Sequence, residues 1–478
     1  MTIFLWCVLI LFINFNVEAK PAPAHAPKLL VVSYDAFRYD YFERNVTPFL
    51  KDLRIKSTYT DYMRNVFVTK TFPNHFTIST GLFVETHGVV DSEYYDPKIN
   101  KTFKYSHELF HYNNDILPIW ILNENADGNR HSGIMMWPGG DYEYDGKKTI
   151  FHQSWNTSIP WKNRIDDIIS WFNHPKTPIN FGMLYIEEPD FHGHGIGINN
   201  PRFNEILKKL DEITKYLHQK LKQNCLTDVN VIHLSDHGMS STTINRIINL
   251  TEFIDPADYK FVGISPVINI YPIEGKETLV YTNLKKASTV NKNFDVYLKE
   301  DIPERYHFHN NPRIGPILVV AKIGYAFQTL YDSFPWYEKE FNITINENSE
   351  FGVHGYDNNN SEMHPFFFGL GPAFLPACKV PPFDNTDLLP LFCEILDISC
   401  PQVNGTLSNL KTCLTKHHYE AILYNGIYIG GVVISILGII ALFLVYLRRQ
   451  HSEKNTKYRI LMQEADLENQ TWDEGKLV

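Results

Sequence analysis

The chain has 478 residues, with 44 lysines and arginines against 54 aspartates and glutamates, a formal net charge of −10. That acidity, with no lysine- or arginine-rich block, excludes a surface built to coat nucleic acid, so no nucleic-acid polymer is expected as a partner. The length allows one large domain or two smaller ones, and no internal repeat divides it.

In chain order, the first element is the apolar run "MTIFLWCVLILFINFNVEA". It is too short to span a bilayer and closes on Val17-Glu18-Ala19, so residues 1–19 read as a signal peptide. "KPAPAHAP" (20–27) then reads as a linker. "KLLVVSYD" (28–35), "INFGMLYIEEPD" (179–190) and "VNVIHLSDH" (229–237) are near-continuous apolar runs that each reach an aspartate. Such runs suit parallel strands covered on both faces. Between the last two, Phe203, Ile206, Leu207, Leu210, Ile213, Leu217 and Leu221 recur at helical spacing after Asn200 and Pro201. The pattern is a βαβ unit, and the expected fold class is α/β with a mostly parallel central sheet flanked by helices.

Near the other end, "IYIGGVVISILGIIALFLVYL" is uncharged and of spanning length. Residues 426–447 are expected to form one transmembrane helix, and Arg448 and Arg449 place a tail of residues 448–478 in the cytoplasm. That is a type I cell-membrane topology with the bulk of the chain outside. Gly426 and Gly430 form a GxxxG pair, which alone leaves the oligomeric state open. Glycosylation sequons at Asn45, Asn100, Asn156, Asn249, Asn342, Asn359 and Asn404 all lie between the two apolar ends. Once Cys7 leaves with the signal, Cys378, Cys393, Cys400 and Cys413 fall within 36 residues, as in a locally stapled segment of an oxidising compartment. Cys225, far from them, is the expected free thiol.

In open α/β sheets ligands bind outside the carboxyl ends of the strands, where Asp35, Asp190 and Asp236 are expected. One such aspartate alone is usually a helix cap. Three on one rim repel each other unless something positive sits between them. His194 follows Asp190 by four residues, His237 adjoins Asp236, and "VHGYDN" adds His354. Mixed carboxylate and imidazole ligands favour zinc-like ions, and these candidates are too many for one tetrahedral ion. Paired metals suit in-line displacement at phosphorus. Thr71, in "VFVTKTFPNHFTIST", is the candidate nucleophile, with Pro73 marking a helix start where backbone N–H groups favour phosphate.

"SYDAFRYDY", "TKTFPNHFTISTGLFVETHG", "EEPDFHGHG", "SDHGM" and "VHGYDN" stand in the order found in the ectonucleotide pyrophosphatase/phosphodiesterase family of the alkaline-phosphatase superfamily. The chain resembles the short members, types four and five, over roughly residues 28 to 400. The resemblance implies an alkaline-phosphatase-like catalytic ectodomain over residues 28–405 and a juxtamembrane stalk over 406–425. It implies two zinc ions, one held by Asp190, His194 and His354 and the other by Asp35, Thr71, Asp236 and His237. Thr71 would form a covalent nucleotidyl intermediate on an extracellular nucleotide, such as NAD or a dinucleoside polyphosphate. Phe72 and Trp155 would stack on the base, although both residue types are also common in cores. The pairing expected by resemblance is Cys393 with Cys400.

Three residues depart from the family pattern. Ala36 replaces a glycine, Val353 replaces an asparagine, and Ser92 stands where an asparagine usually donates to the developing phosphoryl charge. Losing such a donor costs about 10²–10³ in rate. A choline-phosphodiester hydrolase would share every ligand and differ only in its pocket, and a catalytically silent surface protein is the reading that Ser92 keeps open.

Overall fold

Strands that are apolar on both faces belong at the centre of a sheet, and the three apolar runs are found there. The computed structural model of the chain describes residues 26–474, so the expected signal peptide and most of the linker lie outside the described range. Eight strands form the central sheet. They are β1 (Lys28–Tyr34), β2 (Thr58–Tyr59), β3 (Ser132–Met135), β4 (Phe151–Gln153), β5 (Phe181–Ile186), β6 (Val229–Leu234), β7 (Phe367–Leu370) and β8 (Cys378–Lys379). Their spatial order is β8-β2-β7-β6-β1-β5-β3-β4. From β6 to β4 every pair is parallel, with Val31 of β1 level with Met183 of β5 and Ile232 of β6. Beyond β6 the sheet is mixed, because β7 runs antiparallel to both β6 and β2. Leu29, Leu30, Val31 and Val32 are each fully buried, which stabilises the fold by about 1.5–3 kcal/mol per side chain.

Five helices and their flanks matter for the site and its support. They are α1 (Thr71–Thr80), α2 (Asp190–Ile196), α3 (Pro201–Gln223), α4 (Phe334–Phe341) and α5 (Leu388–Leu396). α3 is the crossover helix of the βαβ unit, one or two residues longer than its apolar spacing marks, and its buried stripe is the expected one. The Asn200 side chain accepts the Arg202 N–H at 2.9 Å and so caps it. Beneath the sheet a polar chain joins α3 to β1 and β6. Thr214 Oγ1 donates to the Leu210 carbonyl and accepts from the Tyr34 hydroxyl at 2.7 Å. Tyr34 in turn accepts from His233 Nδ1 at 3.1 Å, which leaves His233 Nε2 to accept from His218 Nε2 at 3.0 Å.

A second sheet of four antiparallel strands, in the order Tyr259–Val262, Val267–Pro272, Ile317–Ala321 and Phe294–Leu298, was not anticipated. Arg313 lies just before its Ile317–Ala321 strand. The guanidinium donates to the carbonyls of Gly88 and Leu109, both at 2.7 Å, and to that of Glu108, and it covers the Tyr94 ring. The small sheet therefore buttresses the segment from Gly88 to Leu109.

The cysteines differ from expectation. The disulfide joins Cys378 to Cys413, with Cα atoms 5.8 Å apart. Cys393 on α5 and the exposed Cys400, the expected pair, are free thiols, and Cys225 is an exposed free thiol. Sequence spacing marks a stapled segment but not which of its thiols meet. Six of the seven sequon asparagines are exposed, while Asn249 is half-buried and accepts the Thr251 N–H.

A separate compact unit begins at Lys416. It lies within α6 (Thr415–Glu474), the one helix among the described residues long and apolar enough to cross a membrane, with a mean hydropathy of 2.7 in its most apolar stretch. Residues 426–447 fall inside it.

Candidate active site

The parallel strands deliver their carboxyl ends to one rim, and the polar residues follow immediately. Asp35 comes one residue after β1, and its N–H donates to the Ile186 carbonyl at the end of β5. Asp190 is not strand-terminal as expected. It opens α2, held by its N–H on the Asp35 carbonyl at 3.1 Å. Asp236 and His237 follow β6 after Ser235, and both are fully buried. His194 is one turn along α2 from Asp190. His354 arrives after the strand Glu350–Val353, which pairs antiparallel with Ser240–Thr243 just beyond β6.

These residues form one cluster. His237 Nε2 is 3.3 Å from Asp35 Oδ1 and 3.1 Å from Asp236 Oδ2. His194 Nε2 and His354 Nε2 each lie 3.3 Å from Asp190 Oδ1. The His237 and His354 rings stack at 3.7 Å between the two halves. Thr71, the first residue of α1, sets its Oγ1 3.2 Å from His237 Nε2.

Whether the cluster fits metal ions can be judged from its unpaired atoms. Asp35 Oδ1, Asp190 Oδ1 and Asp236 Oδ2 are buried with no hydrogen-bond partner. Leaving a buried charge unmatched is costly, and three of them point inward together. The histidines match. Nδ1 of His194, His237 and His354 donates to the carbonyls of Gly352, Gly238 and Thr69 at 2.9, 2.9 and 3.0 Å. That fixes each tautomer and aims each Nε2 lone pair into the cluster. Nε2 of His194 and Nε2 of His354 face each other at 3.1 Å, a repulsive contact unless a cation is shared. Two overlapping groups can hold an ion, Asp35–Asp236–His237 and Asp190–His237–His354, with His194 adjoining the second.

The electrostatics agree. Burial, then the charges of Asp236 and Asp190, pushes the Asp35 carboxyl well above the usual range. Burial opposes ionisation of Asp190 too, but His194 and His354 outweigh it and hold its carboxyl low. Burial, followed by His237, keeps His354 well below the ordinary imidazole value. Dications would leave every carboxylate ionised and every imidazole neutral.

The rest of the "FPNH" stretch organises Thr71. Pro73 sits in the first turn, where its missing N–H costs nothing. Asn74 accepts the Val66 N–H and donates to the carbonyls of Val68 and Lys70, locking the approach to α1. His75 is buried, accepts from Ser33 Oγ at 2.9 Å and donates Nδ1–H to the Thr71 carbonyl at 2.8 Å.

Ser92 is tied to the same place. Its N–H donates to Asp91 Oδ1 at 2.6 Å, and Asp91 Oδ2 pairs with Lys70 Nζ at 2.6 Å in a buried ion pair. Phe72 meets Tyr105 at 5.2 Å and Phe110 at 6.1 Å between ring centroids. Trp155 is 58% exposed in the loop after β4 and makes no ring contact among the described residues. Sequence reasoning missed Tyr105, the Lys70–Asp91 pair, and Tyr185, whose hydroxyl donates to Asp35 Oδ2. Lys70 and Tyr185 lay in stretches already singled out, with no role assigned to either.

Ala36 takes a left-handed φ of 56° while its N–H donates to Asp236 Oδ1 at 3.2 Å. Glycine suits that conformation, and alanine there costs about 1–2 kcal/mol.

Comparison with known proteins agrees with this geometry. A family model described as type I phosphodiesterase / nucleotide pyrophosphatase matches residues 29–357. The chain is 36% identical to the bis(5'-adenosyl)-triphosphatase of Homo sapiens over 445 residues, 92% of this chain and 93% of that protein. It is 38% identical to human ectonucleotide pyrophosphatase/phosphodiesterase family member 5 over 395 residues, 81% of this chain and 78% of that protein. The solved murine member 5, an inactive threonine-to-alanine variant in complex with AMP, superposes with a TM-score of 0.73 at 36% identity, covering 81% of this chain and all of that one. The chain belongs to the type I phosphodiesterase/nucleotide pyrophosphatase family and is a hydrolase of the alkaline-phosphatase-like fold.

Proposed function

We propose that this protein is a membrane-anchored, two-zinc nucleotide pyrophosphatase with its catalytic domain outside the cell. It would cleave extracellular dinucleoside polyphosphates, NAD or similar nucleotides to release a nucleoside monophosphate. The observation that carries the reading is the inward convergence of three unpartnered carboxylate oxygens and three tautomer-fixed imidazoles beside Thr71 Oγ1. Asp190, His194 and His354 would hold one ion, and Asp35, Asp236 and His237 the other, with Thr71 on the second side. Bound there, zinc supplies Lewis-acid stabilisation of phosphoryl charge and eases loss of a proton from a hydroxyl.

The chain's own residues perform the rest. Thr71 loses its proton and forms an Oγ–P bond as the bond from phosphorus to the leaving phosphate oxygen breaks. Water then adds to phosphorus, the Thr71 Oγ–P bond breaks, and the monophosphate departs with Thr71 reprotonated. The start of α1 contributes backbone N–H groups facing negative charge, and the hydrogen bond from His75 to the Thr71 carbonyl keeps that turn in place. Phe72, backed by Tyr105, and Trp155 are assigned to the two faces of the base slot. Mixed nitrogen and oxygen donors favour zinc over magnesium. The Cys393–Cys400 pair is proposed to close to a disulfide in the same oxidising compartment that the Cys378–Cys413 bond implies.

The test is hydrolysis of diadenosine triphosphate and NAD by the purified protein, with metal content measured in parallel. Wild type should release AMP, and Thr71→Ala should lose at least about 10⁴-fold in turnover yet still bind AMP. A fully zinc-loaded wild type that turns over no nucleotide overturns the proposal.

A further inference from the structure

One aromatic group beside the ligand cluster has no part in the chemistry above. Phe191 follows Asp190 on α2, and its ring lies 5.5 Å from Trp336 and 5.3 Å from Phe341, both on α4. α4 comes this close because Gly195 has no side chain, since a Cβ there would fall 2.0 Å from the Phe341 ring. Tyr337, the next residue on α4, is buried. Burial, with the Asp190 charge adding to it, pushes its phenol up to about 12, which places α4 within electrostatic reach of that ligand. Trp336 is held by edge contacts to Phe191 and Phe341, yet 45% of it remains exposed. A large ring that is braced on its edges and open to solvent is a ready stacking surface.

Its position is the informative part. Thr71 stands on the Asp35–Asp236–His237 side of the cluster. In-line displacement sends the leaving oxygen to the opposite side of phosphorus, toward Asp190 and His194; Phe191 adjoins Asp190 on α2, and Trp336 packs on Phe191. Phe72 serves the nucleoside that stays on the enzyme, so a second aromatic platform is available only to a leaving group that carries its own base. We propose that Trp336, braced by Phe191, stacks on the nucleobase of the leaving nucleotide and so selects dinucleoside polyphosphates over substrates that lose inorganic pyrophosphate. This rests on the nucleotide pyrophosphatase reading and narrows its substrate class.

Diadenosine triphosphate and ATP test it with the full-length protein, because both yield AMP while only the first expels a base. Stacking on one base is worth about 5–150-fold in binding. Trp336→Ala should lower kcat/KM for diadenosine triphosphate by that factor, chiefly through KM, and leave ATP within about twofold. Trp336→Phe should restore most of the loss. Equal losses on both substrates, or none on either, overturn the subsite, while the wild-type rate on each still supports the parent reading. A wild type inert toward both overturns the parent reading and the subsite with it.

Discussion

Ser92 shows how a site can be held in place and still lack reach. Its backbone is fixed by Asp91, and Asp91 by the buried Lys70 ammonium, whose own residue adjoins Thr71. The mount that would present an asparagine amide is therefore intact, and what differs is one side chain shorter by an amide group. Ser92→Asn is expected to raise turnover on nucleotide substrates by roughly tenfold or more, up to the 10²–10³ that such a donor is worth. Steady-state kinetics of the two proteins at matched zinc content decides it, and unchanged or lower turnover counts against a role for this position. Ala36 is the opposite case. That departure from the family pattern is absorbed locally, as a left-handed backbone that still delivers its N–H to Asp236.

Among the elements, those buried on both faces were legible. β1, β5 and β6 read as near-continuous apolar runs because every residue on them but Lys28 is buried, and α3 reads as a stripe because only one of its faces is. The candidate ligands Asp35, Asp236 and His237 were legible because they sit just past the ends of those runs. What stayed hidden depends on partners far along the chain. Three strands of the antiparallel sheet between Tyr259 and Ala321 have mixed exposure, and the fully buried Ile317–Ala321 is only five residues long, so no long apolar run marks the sheet. Tyr105 reaches Phe72 only because Arg313 gathers the loop beneath it. The glycines of "DFHGHG" had no role assigned from sequence either. Gly193 would drive a Cβ into Met239 at 2.5 Å, and Gly195 one into Phe341 at 2.0 Å, so both are contact surfaces for α2. Gly195→Ala is expected to destabilise the protein by about 1–3 kcal/mol and to lower its zinc content, because α4 and α2 must separate. Thermal unfolding alongside metal analysis checks this, and a normal melting temperature with full zinc contradicts it.

For the molecule as a whole, acid is the expected weakness. Burial lowers His218 to about 4 and holds His233 well below the ordinary imidazole value, with His218 adding to the second shift, so both are neutral in the folded protein near neutral pH. The unfolded chain binds protons on these residues below about 6.5, whereas the folded one does not until near 4 for His218. Their contribution is therefore fully present above about pH 6.5 and is lost as pH falls toward 4. His218→Gln keeps an N–H for His233 and cannot titrate, so its melting temperature should fall less between pH 7.5 and pH 5 than that of the wild type. Parallel curves for the two proteins would rule out this network as a source of acid sensitivity.

The position of β1 carries a consequence in time. It lies at the middle of the sheet, yet β5, its first parallel neighbour to be synthesised, follows about 150 residues later, and β6 later still. At about 5–20 residues per second, that strand waits on the order of 10–30 s on the ribosome with its apolar faces and both hydrogen-bonding edges unmatched. Asp35, at its end, can join no ligand cluster during that interval. Assembly of the candidate site is thus deferred until the chain has been made through His354. Non-local pairing of this kind is slow and exposed to aggregation, so a nascent chain of this topology depends on being shielded while it waits.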